Sequence, residues 1–203
     1  MTQTPPPIGV IGGTGLYQFD ALVHPRELVL PTPFGPPSDT LACGEIDGRT
    51  VYFIPRHGRG HVLLPSEINH RANLWALRSL GVRWLISVSA VGSLQDAYRP
   101  CDVVLPSQFF DRTSRRDHHT FFGSGIVAHV SFDQPTAPRL RSLLLDAARA
   151  AGATAHDGGT YVNIDGPAFS SGAESELNHR LGFDVVGMTT LAEAKLAREA
   201  EIA

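Results

Sequence analysis

The hydrophobic positions of this chain fall into short unbroken runs separated by stretches of helical period. IGVI (8–11), RTVYFIP (49–55), VRWLISVSA (82–90) and CDVVLP (101–106) are apolar runs bounded by glycine or proline, and each predicts a strand. TYVNI (160–164) and FDVVGM (183–188) add two more. The continuous apolar character of 82–90 predicts a central strand. SEINHRANLWALRSLG predicts a helix with Ser66 as N-cap, Gly81 as stop and an apolar stripe through Ile68, Ala72 and Trp75. PRLRSLLLDAARAAG (138–152) predicts another, opening at Pro138 with Leu140, Leu143, Leu144, Ala147, Ala148 and Ala151 on one face. Ser171–Glu174 and Thr190–Glu193 read as capping boxes that start two further helices. Strands alternating with helices predict a single α/β domain over residues 1–203 with a substantially parallel sheet. The last helix runs to Ala203 without a cap and no strand follows, so the pattern reads as an α/β domain stopped before its final elements.

Two stretches break the alternation. LPTPFGPPSD (30–39) is too rich in proline for anything but an extended or turning loop, and 111–136 shows no sustained period. A loop as long as the second, in a compact domain, is expected to be functional.

Composition narrows the class. Hydrophobic residues at 42% and charged residues at 18% describe an ordinary globular chain, and a net charge of −3 gives no support to nucleic-acid or anionic-membrane binding. Cys43 and Cys101 form no CxxC pair, so a disulfide framework is not expected and a reducing cytoplasm is. The start, MTQTPPPIGV, has neither a basic segment nor a long apolar one, and nowhere do about 18 apolar residues run together. Neither secretion by signal peptide nor membrane spanning is expected.

The candidate chemistry sits in the loops that follow strands. VIGGTGLY (10–17) lacks the third glycine of a dinucleotide fingerprint and the lysine of a P-loop. Alone it reads equally well as a tight turn or as a nest of backbone N–H groups for an anion. In PRHGRGH (55–61), Arg56 and His57 at a strand end could both donate to a phosphate, Arg56 through two parallel bonds. A zinc pair at His57 and His61 is disfavoured, because Gly58 and Gly60 argue against the helix this spacing requires. His118 and His119 are adjacent and read as loop surface. SVSAVGSL (87–94) is not a serine-hydrolase elbow. IDGPAFSS (164–171) and GMTT (187–190) also follow strands and precede helices. Together these loops converge on one mouth of a sheet, where α/β ligands bind.

VIGGTGLY, TPFGPPSD, PRHGRGH, LPSEINHRANLWAL, SVSAVGSL, FFDRT, GPAFSSGAES and GMTTLAEAKLAREAEI, in this order, closely resemble the methylthioadenosine phosphorylase branch of the purine nucleoside phosphorylase family, from about Ile8 to Ala203. The resemblance implies that family's mixed, largely parallel twisted sheet flanked by helices. It also implies phosphorolysis of 5′-methylthioadenosine to adenine and 5-methylthioribose 1-phosphate, a step of purine and methionine salvage. The family works as a homotrimer without metal or organic cofactor, orthophosphate being a cosubstrate. By matching position, Thr14, Arg56, His57, Ser89 and Thr189 resemble phosphate ligands, with Ala90 lining the same pocket. Phe169 resembles the purine-stacking aromatic, Ser170 a polar partner of the base, and Met188 the methionine under the ribose. His61 and His129 resemble residues near the 5′-thio end. The family's base-reading aspartates lie in a strand beyond the position of Ala203, so no general acid is assigned within this chain. Gly172 stands where many relatives have arginine, and Asp165 where glutamate is usual. Methylthioinosine or general purine nucleoside phosphorolysis, and a phosphate- or nucleoside-binding remnant without turnover, are the alternatives.

Overall fold

The computed structural model describes residues 5–16, 19–114 and 116–203. In chain order the strands are Ile8–Gly12 (β1), Val23–Leu28 (β2), Leu41–Ile46 (β3), Arg49–Pro55 (β4), Trp84–Val88 (β5), Gly92–Ser93 (β6), Val103–Leu105 (β7), Gln108–Asp111 (β8), Ala155–Asp157 (β9), Thr160–Asn163 (β10) and Val185–Gly187 (β11). The helices are His70–Ser79 (α1), Pro138–Ala150 (α2), Gly172–Arg180 (α3) and Thr190–Glu199 (α4). Strands β1 to β5 form one sheet in the order β2-β3-β4-β1-β5, parallel from β4 through β1 to β5 and antiparallel across β2, β3 and β4. A second sheet has the order β6-β11-β10-β8, and β7 pairs with β9. The mixed α/β class is therefore observed, with antiparallel pairing of the named strands at β2–β3, β3–β4 and β6–β11.

Alternation along the strands decides which side chains face which layer. Ile11 and Ile54 turn toward α1 and α4, where they join Leu74, Leu77, Val82 and Leu196 in the main core. Val10, Val51 and Phe53 turn the other way, onto Leu22. Among the described residues, no helix is long and apolar enough to cross a membrane.

Several expectations change in detail. The N-cap of α1 is Asn69, whose side chain accepts from the Ala72 N–H; Pro65–Glu67 forms a separate 3₁₀ turn around Ser66. Gly81 ends α1 as expected, at φ +83°. Trp75 is 36% exposed, because α1 buries Leu74 and Ala76 on either side of it, and Leu77 beyond. Within the first sheet, β5 is an edge strand. On its outer side Ala203 alone pairs among the described residues, its N–H donating to the Arg83 carbonyl and its carbonyl accepting from the Leu85 N–H, both at 2.8 Å. Beyond that edge runs a groove of about 250 Å³ bordered by Leu85, Leu140, Leu144, Ala194 and Ile202. Leu140 and Leu144 of the α2 stripe thus line an open groove and Leu143 is exposed, while the one buried residue of α2, Leu145, lies off the stripe.

Candidate functional site

Strand register brings the loops together. Gly12 of β1 lies opposite Pro55 of β4 and Val88 of β5, so the glycine turn, Arg56–His57 and Ser89–Ala90 all leave the sheet side by side. In the second sheet Asn163 lies opposite Asp111 and Gly187, so the loops after β8, β10 and β11 also emerge together. The two glycines of the first turn serve different ends. Gly15 has φ +89° with open space where a Cβ would point. Gly13 keeps φ outside the left-handed region but is backed directly by Arg56 Nη1, the Val88 carbonyl and Ser89. Close approach, not backbone freedom, requires glycine at 13.

The guanidinium behind that turn is fully committed on one side. Arg56 is 1% exposed and forms a two-point ion pair with Glu193, Nε to Oε1 at 2.6 Å and Nη2 to Oε2 at 2.9 Å. Nη2 also donates to Ser87 Oγ and Nη1 to the Val88 carbonyl, each at 2.8 Å. Of the five N–H groups of an arginine, one on Nη1 is left. The two parallel bonds expected for phosphate go to Glu193 instead, so Arg56 can offer an anion a single N–H. Burial alone would raise the Glu193 carboxyl, but the Arg56 charge and hydrogen bonds hold it well below the usual carboxylate range. Burial pushes the His57 imidazole below its ordinary value; its Nδ1 donates to the Leu63 carbonyl at 2.8 Å, leaving Nε2 with the lone pair.

The start of α4 carries the next sequence candidate, Thr189. Thr189 is buried at the N-cap position, yet its side chain makes no capping bond. The Thr190–Glu193 box expected from sequence does not form, because Glu193 is drawn into the ion pair with Arg56. Asn163 Oδ1 at the end of β10 accepts from the Leu191 N–H at 3.3 Å, so this helix start is capped from the second sheet and not by its own Thr189. The box at Ser171–Glu174 does form, at the start of α3.

Met188 packs its thioether against Gly166 and borders a small cavity of about 50 Å³ with His70, Thr113, His119 and Asp165. His70 Nδ1 and His119 Nδ1 are both buried without a hydrogen-bond partner. Burial drives His119 down to about 4, with Lys195 adding to the effect. An unfolded histidine takes up its proton near pH 6.5. Between pH 6.5 and 4 the unfolded chain therefore binds more protons, and stability falls as pH falls through that window. Thermal melts at pH 7, 5.5 and 4 should show that slope, flattened in His119→Gln. The expectation that His119 is loop surface is thus revised: its backbone is in the loop, but its ring borders a cavity.

His57 and His61 stack at 4.3 Å between centroids, with the exposed His61 at φ +56°. Phe169 is 89% exposed and precedes the half-buried Ser170 on the loop from β10 to α3. Ala90 is exposed beside Ser89, whose hydroxyl donates to the Ala90 carbonyl at 3.1 Å. Thr14 is exposed on the glycine turn, and His129 is exposed on the loop before α2. Among the described residues no group of three or more histidine, cysteine or acidic side chains could hold a metal ion. Sequence reasoning missed Glu193, Ser87 and Tyr161, whose buried hydroxyl lacks a partner beside Gly187. A glutamate four residues after Thr189 on an otherwise apolar helix face was the available signal for the first.

Known proteins share this fold. The family model described as the phosphorylase superfamily matches residues 7–203. The S-methyl-5′-thioadenosine phosphorylase of Chloroflexus aurantiacus is 59% identical over 97% of this chain and 68% of its own length; that of Gloeobacter violaceus is 57% identical over 96% and 66%. The chain thus spans about two thirds of the length of these relatives. Among solved structures, a methylthioadenosine phosphorylase from an antarctic soil metagenomic library superposes with a TM-score of 0.93 at 48% identity, over 99% of this chain and 71% of that one. The Schistosoma mansoni methylthioadenosine phosphorylase in complex with tubercidin gives 0.90 at 37% identity, over 98% and 77%. Matched by the family model over residues 7–203 and at this degree of identity, the chain belongs to the phosphorylase superfamily and, within it, to the S-methyl-5′-thioadenosine phosphorylases.

Proposed function

We propose that this site binds orthophosphate between the glycine turn, Arg56, Ser89 and the start of α4, and uses it to cleave 5′-methylthioadenosine. The observation that carries the reading is the meeting of Arg56 Nη1, the Val88 carbonyl and Ser89 behind Gly13, in a chain 59% identical to a methylthioadenosine phosphorylase. Because Glu193 cancels the Arg56 charge and His57 is held neutral, the anion meets hydrogen-bond donors more than net charge. Thr14, Ser89 and Thr189 supply hydroxyls, His57 lines the pocket, and Ala90 keeps its wall small.

Departure of the purine builds positive charge on the ribose, as in other glycosyl transfers. A phosphate held beneath the sugar stabilises that charge. One of its oxygens then bonds to the anomeric carbon as the carbon–nitrogen bond breaks, and the proton of hydrogen phosphate is balanced by one gained on adenine. Holding both reactants in place can supply on the order of 7–11 kcal/mol in the best cases. Met188 lies under the ribose, Phe169 and Ser170 receive the base, and His61 and His129 stand near the 5′-thio end. No metal or organic cofactor takes part in this scheme.

Adenine release from 5′-methylthioadenosine, with and without orthophosphate, tests the reading. Release that requires phosphate supports it; phosphate-independent release would make the chain a hydrolase, and binding without release a non-catalytic remnant. Phe169→Ala should leave stability within about 0.5 kcal/mol, as for other exposed positions. It should raise the nucleoside KM roughly tenfold or more through lost stacking, as initial-rate kinetics would show. We further take the working assembly to be a homotrimer in a reducing cytoplasm, a reading supported by the resemblance and by the free thiols of Cys43 and Cys101. Light scattering on the purified chain checks the trimer.

A further inference from the structure

We propose that Glu193 is the positioning residue of the phosphate site, fixing the Arg56 guanidinium behind the glycine turn so that its one free N–H is delivered to the anion. The inference rests on the reading above and extends it to a residue that contacts no substrate. Glu193 is 1% exposed, and both of its oxygens are engaged. Oε1 accepts from Arg56 Nε, while Oε2 accepts from Arg56 Nη2 and, at 2.6 Å, from Ser87 Oγ. Ser87 in turn accepts from Nη2, so carboxylate, hydroxyl and guanidinium close a three-membered ring of contacts. A two-point pair of this kind fixes the plane of the guanidinium as well as its place. With Nε and Nη2 tied to Glu193 and Nη1 tied to the Val88 carbonyl, Nη1 stands directly behind Gly13 with one N–H left over.

The topology makes Glu193 suited to the task. It follows Thr189 by four residues, so the helical turn that Thr189 opens also carries the carboxylate. The link runs from α4, which follows the second sheet, to the end of β4 in the first, and so ties the two halves of the site. His70 of α1 stands behind, its Nδ1 3.6 Å from Oε1. Freeing the guanidinium would leave an unpaired cation with more attraction for phosphate at long range. Hydrogen bonds are directional, however, and only the fork aims Nη1 at the turn. Loss of aim is therefore expected to outweigh the gain in charge.

The test is Glu193→Gln, which keeps the shape and removes one acceptor and the charge. The orthophosphate KM should rise at least tenfold, with the nucleoside KM changed less than threefold, and calorimetric titration with orthophosphate should show the same loss. The Arg56 Nε–H resonance, slow to exchange in the parent chain, should broaden or vanish. Glu193→Asp, charged but too short to span both nitrogens, should restore only part of the affinity. In an Arg56→Met background the Glu193→Gln effect on phosphate should disappear, since the residue acts only through Arg56. If Glu193→Gln does not fold, Ser87→Ala breaks the same ring and should raise the phosphate KM about threefold. Phosphate binding as tight as in the parent, or tighter, overturns the inference and leaves the proposed function standing. Failure of the parent chain to bind orthophosphate overturns both.

Discussion

Arg56→Ala is expected to destabilise the chain by about 3–5 kcal/mol, the range for removing one partner of a buried ion pair. The Glu193 carboxylate would be left buried with only Ser87 as a close hydrogen-bond donor. Uncompensated burial raises a carboxyl pKa, so the variant should recover part of its stability as pH falls, in the direction opposite to the acid sensitivity expected from His119. Urea denaturation at pH 7 and pH 5 measures both. Replacing the pair together, as Arg56→Met with Glu193→Leu, should restore near-parental stability because no charge is then stranded. Both variants should bind orthophosphate roughly ten- to a hundredfold more weakly, the worth of one hydrogen bond to a charged group. A stable double variant that still binds phosphate at full strength would show that the arginine serves the fold and not the site.

The second large effect is expected at Gly13. A Cβ there would sit 2.7 Å from the Val88 carbonyl and 3.2 Å from Ser89 Cα, besides striking Arg56 Nη1. These are backbone atoms and a pinned side chain, which cannot step aside. Gly13→Ala should therefore cost about 1–3 kcal/mol by overpacking and abolish measurable phosphate binding by pushing the turn off the guanidinium. Gly15→Ala meets no neighbour and strains only φ, at a cost of about 1–2 kcal/mol. Melting curves and calorimetric titration of the two variants separate these causes. Equal phosphate binding by Gly13→Ala and the parent would remove the turn from the site.

Local patterns gave the strands and helices where burial is on one side and period is clear. The β4 segment was legible from end to end, and the start of α3 was legible because its capping box uses neighbours in sequence. Strands β2 and β3 were not, since β2 is exposed and carries Pro25 while β3 is interrupted by Gly44. The edge position of β5 could not be read from its composition, because an apolar run says that a strand is covered and not by what. Trp75 and Ala72 differ in burial for the same reason: period defines a stripe, and the packing partner defines which part of it is used.

The site divides in the same way. Residue order alone determined that glycine, arginine, histidine, serine and threonine stand at strand ends, because a strand followed by small or donor residues is a local property of the chain. Only the tertiary structure decided what Arg56 does with its donors. Its partner lies 137 residues away on α4, and no spacing rule links an arginine after one sheet to a glutamate after another. That pairing turns an expected two-point phosphate clamp into a buried, charge-balanced support with one N–H to spare, since a fork that is filled by a carboxylate cannot also be filled by an anion.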